Sequence, residues 1–244
     1  MPDPIYLVYL DPYHLDDLLF LPGLARMMRR QRRPPCLFVH GSGERAERLL
    51  EAEGLFPERR DGLVQIRTAA EAALVERAAR QVNRQIVGGL TEEGVPAVGV
   101  QGIDRGLLHK NDDGQVAPGR IDWLKALAEK QALPVVSALA QEAGSGRVCE
   151  IHLREAARAL AEALQADGVV VAFFTRNNQP GILDGETPAP ERSLDALTEA
   201  ILPEPEAARA IVLAGFSVIL TSPAGLFGGD GVRGTQIIRV KSAK

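Results

Sequence analysis

Short apolar runs alternate with longer amphipathic stretches along most of this 244-residue chain. The clearest runs are residues 5–10, 97–100 and 169–174, where almost no polar residue interrupts the apolar ones. Uninterrupted apolar runs predict strands that are buried on both faces, and such strands belong to parallel sheets covered by helices. The alternation therefore predicts an α/β protein, a three-layer α/β/α sandwich around a mainly parallel central sheet.

The remaining elements are predicted from local signals. Thr68 and Glu71 have the spacing of a capping box and open a helix to about Glu93, where Gly94 suits a left-handed cap. Polar residues 109–120 and residues 176–192 predict long surface loops. The other predicted strands are 36–39, 134–139, 216–220 and 235–240, and the other predicted helices are 18–30, 44–53, 121–130, 150–165 and two stretches that Pro203 and Pro205 interrupt.

Composition excludes several classes of protein. The net charge of -4 lacks the basic excess that sequence-independent nucleic-acid binding requires. Cys36 and Cys149 have no C-x-x-C spacing and no histidine at ligand spacing, which predicts reduced thiols and no metal site. The apolar run 5–10 is too short to span a membrane. We expect a cytoplasmic protein that binds neither nucleic acid nor membrane.

A glycine-rich turn follows the second predicted strand and leads directly into a helix. It reads His40-Gly41-Ser42-Gly43. Glycine allows an anion to approach the backbone, and free N–H groups at a helix start attract negative charge. The turn also fits the dinucleotide pattern G-x-G-x-x-A, but no acidic residue closes a following strand at the required distance. We favour an anion-facing loop over a turn that only shapes the fold.

Ordered motifs along nearly the whole chain resemble those of the amino acid kinase family, with acetylglutamate kinase and a carrier-dependent aminoadipate kinase as the most similar members. The turn after strand two is similar to the V-H-G-G-G substrate loop. Further matches are Gln81 to Val87, then Gly94 to Asp104 (A-V-G-L-S-G-x-D), Pro134 to Ser137 (P-V-I-S), Pro180 to Leu183 (P-G-I-L) and Asp230 to Thr235 (G-x-G-T).

The resemblance implies a fold, a reaction and a set of site residues. The fold is the amino acid kinase fold, also described as carbamate kinase-like, over residues 1–244, with a substrate half to about 145 and a nucleotide half from about 146. The reaction is ATP- and Mg²⁺-dependent phosphorylation of the side-chain carboxylate of an N-acylated glutamate or aminoadipate, free or on a carrier protein. The implied substrate residues are His40, Gly41, Ser42, Gly43, Arg67 and His152, and the implied nucleotide residues are Thr175, Asn178 and Gly181.

Two lysines on which this family relies are missing. The first belongs before a Gly-Gly at the end of strand one, where this chain has Leu10-Asp11-Pro12-Tyr13. The second belongs at the start of a late helix, where this chain has Pro203-Glu204-Pro205-Glu206. The N-x-N-A-D motif corresponds to residues 150–154 and ends in Arg154 in place of the aspartate. The only lysines are Lys110, Lys125, Lys130, Lys241 and Lys244.

Two functions from different classes fit this pattern. One is a divergent kinase of the arginine or lysine biosynthesis type, in which Arg154 and Arg176 supply positive charge. The other is a non-catalytic protein that binds an acylated amino acid, a carrier protein or another subunit. Both arginines are equally compatible with ordinary surface positions. We also expect a homodimer, because this family pairs through an N-terminal helix and the helix from Thr68 to Glu93 has enough apolar residues to contribute.

Overall fold

The computed structural model describes residues 4–29, 33–60, 62–229 and 231–239. In chain order the strands are β1 (Ile5–Leu10), β2 (Cys36–His40), β3 (Arg59–Arg60), β4 (Leu63–Val64), β5 (Ala97–Gln101), β6 (Leu108–Lys110), β7 (Val116–Pro118), β8 (Leu133–Ser137), β9 (Leu139–Glu142), β10 (Val148–Glu150), β11 (Val169–Phe174), β12 (Leu183–Asp184), β13 (Thr187–Pro188), β14 (Glu191–Ser193), β15 (Ser217–Thr221) and β16 (Thr235–Ile238).

The helices, in the same order, are α1 (Pro12–Asp16), α2 (Phe20–Arg29), α3 (Arg45–Ala52), α4 (Ala69–Glu92), α5 (Asp122–Glu129), α6 (Leu153–Leu164), α7 (Pro205–Leu213) and α8 (Pro223–Phe227). Short 3₁₀ turns lie at Asp104–Gly106, Gln165–Asp167 and Leu194–Ala196. No helix among the described residues is both long enough and apolar enough to cross a membrane.

An eight-stranded sheet forms the centre of the fold, in the order β14-β16-β15-β11-β1-β2-β8-β5. Every neighbouring pair is parallel except β15 and β16. The carboxyl ends of β1, β2 and β11 meet in register, with Tyr9 beside Phe173 and Leu10 beside His40. Ligands of such sheets bind outside the carboxyl ends of the strands, so this edge is where a site is expected.

Helices cover both faces of this sheet, because alternate residues of each strand point to opposite sides. In β1, Ile5, Leu7 and Tyr9 pack in a core with α5, α6 and α7. Val8 and Leu10 pack in a second core with α2, α4 and α8. The predicted three-layer α/β/α sandwich with a mainly parallel sheet is confirmed.

The strongest local signals match the observed elements. The predicted capping box opens α4, where the Thr68 hydroxyl accepts a hydrogen bond from the Glu71 backbone N–H at 3.2 Å. Gly94 follows this helix with a φ of 80°, in the left-handed region that glycine tolerates best. Residues 169–174, the most apolar run, form β11.

Several predicted boundaries are wrong where strand pairing decides the structure. Residues 109–120 are not a loop, because β6 and β7 pair as a hairpin within a separate four-stranded sheet. The helix predicted from residue 150 begins only at Leu153, since residues 148–150 pair with β9. The loop predicted over 176–192 contains β14, which joins the main sheet through β16.

The first predicted helix, 18–30, begins two residues later than predicted, and a short helix that was not predicted precedes it. Asp11 caps a short helix α1 and Asp17 ends it, so α2 begins only at Phe20. Arg30 of that helix lies outside the described residues, as do Asp230 of the closing turn, Val240 of the last predicted strand, and Lys241 and Lys244. The hairpin of β3 and β4 and the helix α8 have no counterpart in the sequence-based prediction.

Candidate ligand-binding site

A cavity with a volume of about 620 Å³ lies at the expected edge of the sheet. It lies at the carboxyl ends of β1 and β2. The loop after β2 (Gly41, Ser42 and Gly43) forms one wall, and the β3–β4 hairpin forms part of the rim. The segment 150–154 and the beginning of α7 close the other sides. The cavity therefore collects residues from both halves of the chain.

The glycine loop is held by a carboxylate of the chain itself. The backbone N–H of Ser42 donates to Glu150 Oε1 at 2.5 Å, and the Ser42 hydroxyl donates to Glu150 Oε2 at 2.7 Å. A Cβ on Gly41 would lie only 3.3 Å from the same Glu150 Oε1, so glycine leaves room for this contact. Burial raises the pKa of Glu150, and the hydrogen bonds from Ser42 partly offset that rise. One amide that could face an anionic ligand is thus already engaged.

His40 lies beneath this loop and does not line the cavity. Its Nδ1 is 2.9 Å from the Gly41 carbonyl oxygen, and its Nε2 is 3.0 Å from the side-chain nitrogen of Asn83. Because the first partner only accepts and the second donates, the ring is a neutral Nδ1–H tautomer. Burial lowers the pKa of His40 to about 4. His40 orients the loop rather than reaching a ligand.

In the segment that corresponds to the family's second lysine, the acidic residue Glu204 faces the cavity. The Tyr9 hydroxyl donates to Glu204 Oε2 at 2.6 Å, and Tyr9 and Glu204 both line the cavity. Burial, together with Glu204, raises the pKa of Tyr9 well above its ordinary value. Burial also raises the pKa of Glu204, opposed by the hydrogen bond from Tyr9 and by Arg154. One hydrogen bond thus joins two groups that are far apart in the chain, at the wall of the cavity.

In the segment that corresponds to the family's first lysine, Asp11 is bound to His14. Asp11 is 2 % exposed and accepts a hydrogen bond from the His14 backbone N–H at 3.0 Å, which caps α1. His14 Nδ1 lies 2.8 Å from Asp11 Oδ2, and its Nε2 lies 3.2 Å from the Thr175 carbonyl oxygen. Pro12 stands at the first helical position and lines the cavity. The turn that holds phosphate in the family is here a capped helix start.

Three arginines supply positive charge around the cavity. Arg154 and His152 line it at the start of α6, and the side chain of Arg154 is exposed. Arg59 reaches it from the β3–β4 hairpin while donating to Glu47 Oε1 at 2.5 Å. Arg209 lines it from α7 and is bound to Glu206.

Arg67 lies in a neighbouring cavity of about 410 Å³ at the beginning of α4. The backbone N–H of Arg67 donates to Glu71 Oε2 at 2.6 Å, and its guanidinium lies 3.6 Å from Glu58 Oε1. The two cavities share Leu63, Val64 and Glu150, so they adjoin along the β3–β4 hairpin. Arg67 is therefore near the main cavity without lining it.

The residues implied for the nucleotide lie elsewhere. Arg176 packs over the Tyr13 ring at 4.4 Å and donates to the Glu199 carbonyl oxygen at 2.8 Å, beside a third cavity that Asn178 also lines. Thr175 is 1 % exposed and donates to the Gln179 carbonyl oxygen at 2.7 Å. Gly181 is also buried, where a Cβ would come within 2.5 Å of the Thr235 hydroxyl. The structure brings neither Arg176 nor these three residues together with Arg154.

The two segments that correspond to the family's lysine positions contain no cationic side chain. Cations around the migrating charge are the main protein contribution to phosphoryl transfer. The segments at the two lysine positions contain Asp11 and Glu204, and the glycine-loop amide of Ser42 is bound to Glu150. The described part of the chain also contains no group of three or more His, Cys, Asp or Glu side chains able to hold a metal ion.

Sequence reasoning missed most of the cavity's polar wall. Glu150 falls within the segment that corresponds to N-x-N-A-D, so the sequence indicated that it lies near the site. The sequence did not indicate its contact with Ser42. Tyr9 was treated as a strand residue, and its partner Glu204 lies 195 positions away. Arg59 belongs to a two-residue strand that leaves no periodic signal.

Comparison with known proteins places this architecture in a family. The sequence model described as "Amino acid kinase family" matches residues 24–219. The chain is 33% identical to an acetylglutamate kinase of Roseiflexus castenholzii over 194 residues, which cover 74% of this chain and 71% of that protein. It is 31% identical to an acetylglutamate kinase of Chloroflexus aurantiacus over 245 residues, which cover 92% and 94%.

A solved structure shares the fold at low sequence identity. The N-acetylglutamate synthase of Neisseria gonorrhoeae superposes with a TM-score of 0.65 at 19% identity, covering 98% of this chain and 60% of that one. The family model matches more than half of the chain, and both acetylglutamate kinases are more than 30% identical over at least two thirds of their length. The chain is a member of the amino acid kinase family.

Proposed function

We propose that this protein is a non-catalytic binding member of its family that takes an N-acylated amino acid, free or attached to a carrier protein, into the main cavity. The hydrogen bond between Tyr9 and Glu204 carries the proposal. It puts a carboxylate where a kinase of this family needs a cation, and like charges repel phosphate. The adjoining acids Asp11 and Glu150 act in the same direction.

Binding without catalysis still requires a cavity with selective polar groups, and this chain retains one. A cavity of about 620 Å³ exceeds the volume of a small acylated amino acid and falls within the range of ligand pockets. Arg154 supports recognition of a ligand carboxylate, because a guanidinium binds a carboxylate through two parallel hydrogen bonds.

The second candidate is a divergent kinase that uses ATP and Mg²⁺ with arginines in place of lysines. Arg59, Arg154 and Arg209 around the cavity favour it. Against it, Arg209 is bound to Glu206 and Arg59 to Glu47, so each already neutralises an acid. Loss of a single charge-stabilising donor costs on the order of a hundredfold to a thousandfold in rate, and this chain lacks two.

Binding and turnover measured on the same preparation distinguish the two functions. Calorimetry with a panel of Nα-acetyl amino acids is expected to give binding, and Mg-ATP none. Trapping of acyl phosphate as the hydroxamate, with N-acetyl-L-glutamate as acceptor, is expected to remain at background. Robust ATP-dependent hydroxamate formation that Arg154→Ala or Arg176→Ala abolishes would establish the kinase and refute our proposal.

A further inference from the structure

Glu204 has hydrogen-bonding capacity that the described residues do not use. Among the described residues, only the Tyr9 hydroxyl donates a hydrogen bond to the Glu204 carboxylate, at Oε2. No arginine, lysine or histidine among the described residues forms an ion pair with Glu204. A carboxylate offers about four acceptor positions, so Glu204 can receive further donors from the cavity side.

Arg154 is available on the same cavity. Its guanidinium is exposed, and it is not part of a recorded ion pair within the described residues. Arg154 is close enough to Glu204 to lower its pKa electrostatically. The two described side chains nevertheless form no ion pair within 4 Å. An unpaired cation and an unpaired anion that share a cavity complement a ligand with both charges.

Resting on the proposed function, we infer that the ligand is an Nα-acylated amino acid whose side chain ends in an ammonium group. The ligand's α-carboxylate binds Arg154, and its ammonium group donates to Glu204. Tyr9 is a positioning residue, because its hydroxyl fixes one oxygen of Glu204 and leaves the other for the ligand.

The rest of the cavity suits such a ligand. Leu63, Leu153, Leu197 and Pro203 line it and offer apolar contact to the methylene groups of a side chain. Burial opposes ionisation of Glu204. A cationic ligand group compensates a partly buried carboxylate, whereas a second carboxylate or a phosphate increases the repulsion. The chemistry of the site therefore selects against an acidic side chain.

Three Nα-acetyl amino acids that differ in their side chains test the preferred ligand charge on the unaltered protein. Nα-acetyl-L-lysine and Nα-acetyl-L-norleucine differ only by the terminal ammonium group, and Nα-acetyl-L-glutamate carries a carboxylate on a side chain with two methylene groups fewer. In calorimetry at pH 7.5, we expect the lysine derivative to bind about tenfold to a hundredfold tighter than the norleucine derivative, the range for a hydrogen bond to a charged group. The glutamate derivative should bind more weakly than either.

Variants assign the effect to one carboxylate. Glu204→Gln should remove the advantage of the lysine derivative over the norleucine derivative. Glu186→Gln is the matched control, because Glu186 is exposed on the β12–β13 turn and its substitution removes the same charge outside the cavity. Circular dichroism checks that both variants are folded.

Each outcome bears on the inference. Equal affinity for the lysine and norleucine derivatives, or tighter binding of the glutamate derivative, overturns the inference and leaves the proposed binding function standing. Loss of the lysine preference in Glu186→Gln as well as in Glu204→Gln also overturns it. Failure of all three ligands to bind removes both the inference and the proposed function.

Discussion

The hydroxyl of Tyr9, at the end of the central strand β1, donates to the carboxylate of Glu204 at the beginning of α7, with an oxygen–oxygen distance of 2.6 Å. Tyr9 also stacks on Phe173 of the neighbouring strand, with ring centroids 4.6 Å apart. The stacking limits the ring's movement, so the hydroxyl holds Glu204 at the cavity wall. A residue of the central sheet thus fixes the position of Glu204.

We predict that Glu204 weakens the folded state as the pH rises. Its pKa is raised on folding from its ordinary value of 4.5, mainly by burial. The folded protein therefore holds this proton more tightly than the unfolded chain, and the associated stability is present below 4.5 and lost as the pH rises through the folded-state pKa. As the pH rises from 4.5 through the folded-state pKa of Glu204, the free energy of unfolding of Glu204→Gln should therefore increase relative to that of wild type.

Urea denaturation at several pH values from 4.5 to 8 measures this difference. The control variant Glu186→Gln should differ from wild type by an amount that does not change with pH. A difference between Glu204→Gln and wild type that stays constant over the whole range would show that the Glu204 carboxyl titrates as it does in the unfolded chain.

His40 should stay neutral in the folded protein at every pH near neutrality. Its pKa is lowered to about 4 by burial, against an ordinary value of 6.5. A depressed histidine pKa gives stability that is complete above 6.5 and is lost as the pH falls toward 4, up to about 3 kcal/mol for a shift of this size. Nitrogen-detected NMR at pH 5.5 should show the Nδ1–H tautomer, and an imidazolium spectrum there would contradict the assignment.

The contact between Ser42 and Glu150 should contribute measurably to stability. Ser42→Ala removes the donor to Glu150 Oε2 and leaves the backbone hydrogen bond to Oε1. Because one oxygen of a poorly solvated carboxylate loses its partner, we expect a loss of about 1 to 3 kcal/mol in the free energy of unfolding. Ser145→Ala, which removes an exposed hydrogen bond to Glu142, should cost less than about 0.5 kcal/mol. Equal costs in the two variants would count against a special role for the Ser42 contact.

We predict that the protein is a homodimer that pairs through α4. The exposed residue Arg84 lies in the second half of that helix. Sedimentation equilibrium at micromolar concentration should give twice the chain mass of 26.2 kDa. Arg84→Glu should shift the protein toward monomer, while the same reversal at Arg26, exposed on α2, should not. A wild-type monomer at this concentration would refute the prediction.

Prediction from the sequence was most successful for elements with strong local signals. The runs that became β1 and β11 are apolar because both faces of each strand are buried, and this burial is visible in composition. The run 97–100 became β5, but its prediction as a strand buried on both faces is wrong, because β5 lies at the edge of the sheet and Val98 is 38% exposed. The start of α4 was predicted because a capping box is a contact between residues three positions apart. The short strands β3, β10 and β14 were missed, because strands of two or three residues leave no periodic pattern, and β14 also pairs with the distant β16.

The sequence by itself determined the α/β class, the glycine loop at residues 41–43 and the absence of lysine from the two positions where the family resemblance requires it. Those properties depend on residue type and on spacing along the chain. Only the tertiary structure decided that Glu150 occupies the loop amide, that Tyr9 holds Glu204, and that Arg176 stands apart from Arg154. Each of these relationships joins residues that chain folding, rather than spacing, brings within hydrogen-bonding distance or separates. The chemistry of the cavity therefore became visible only after the sheet had brought the ends of its strands together.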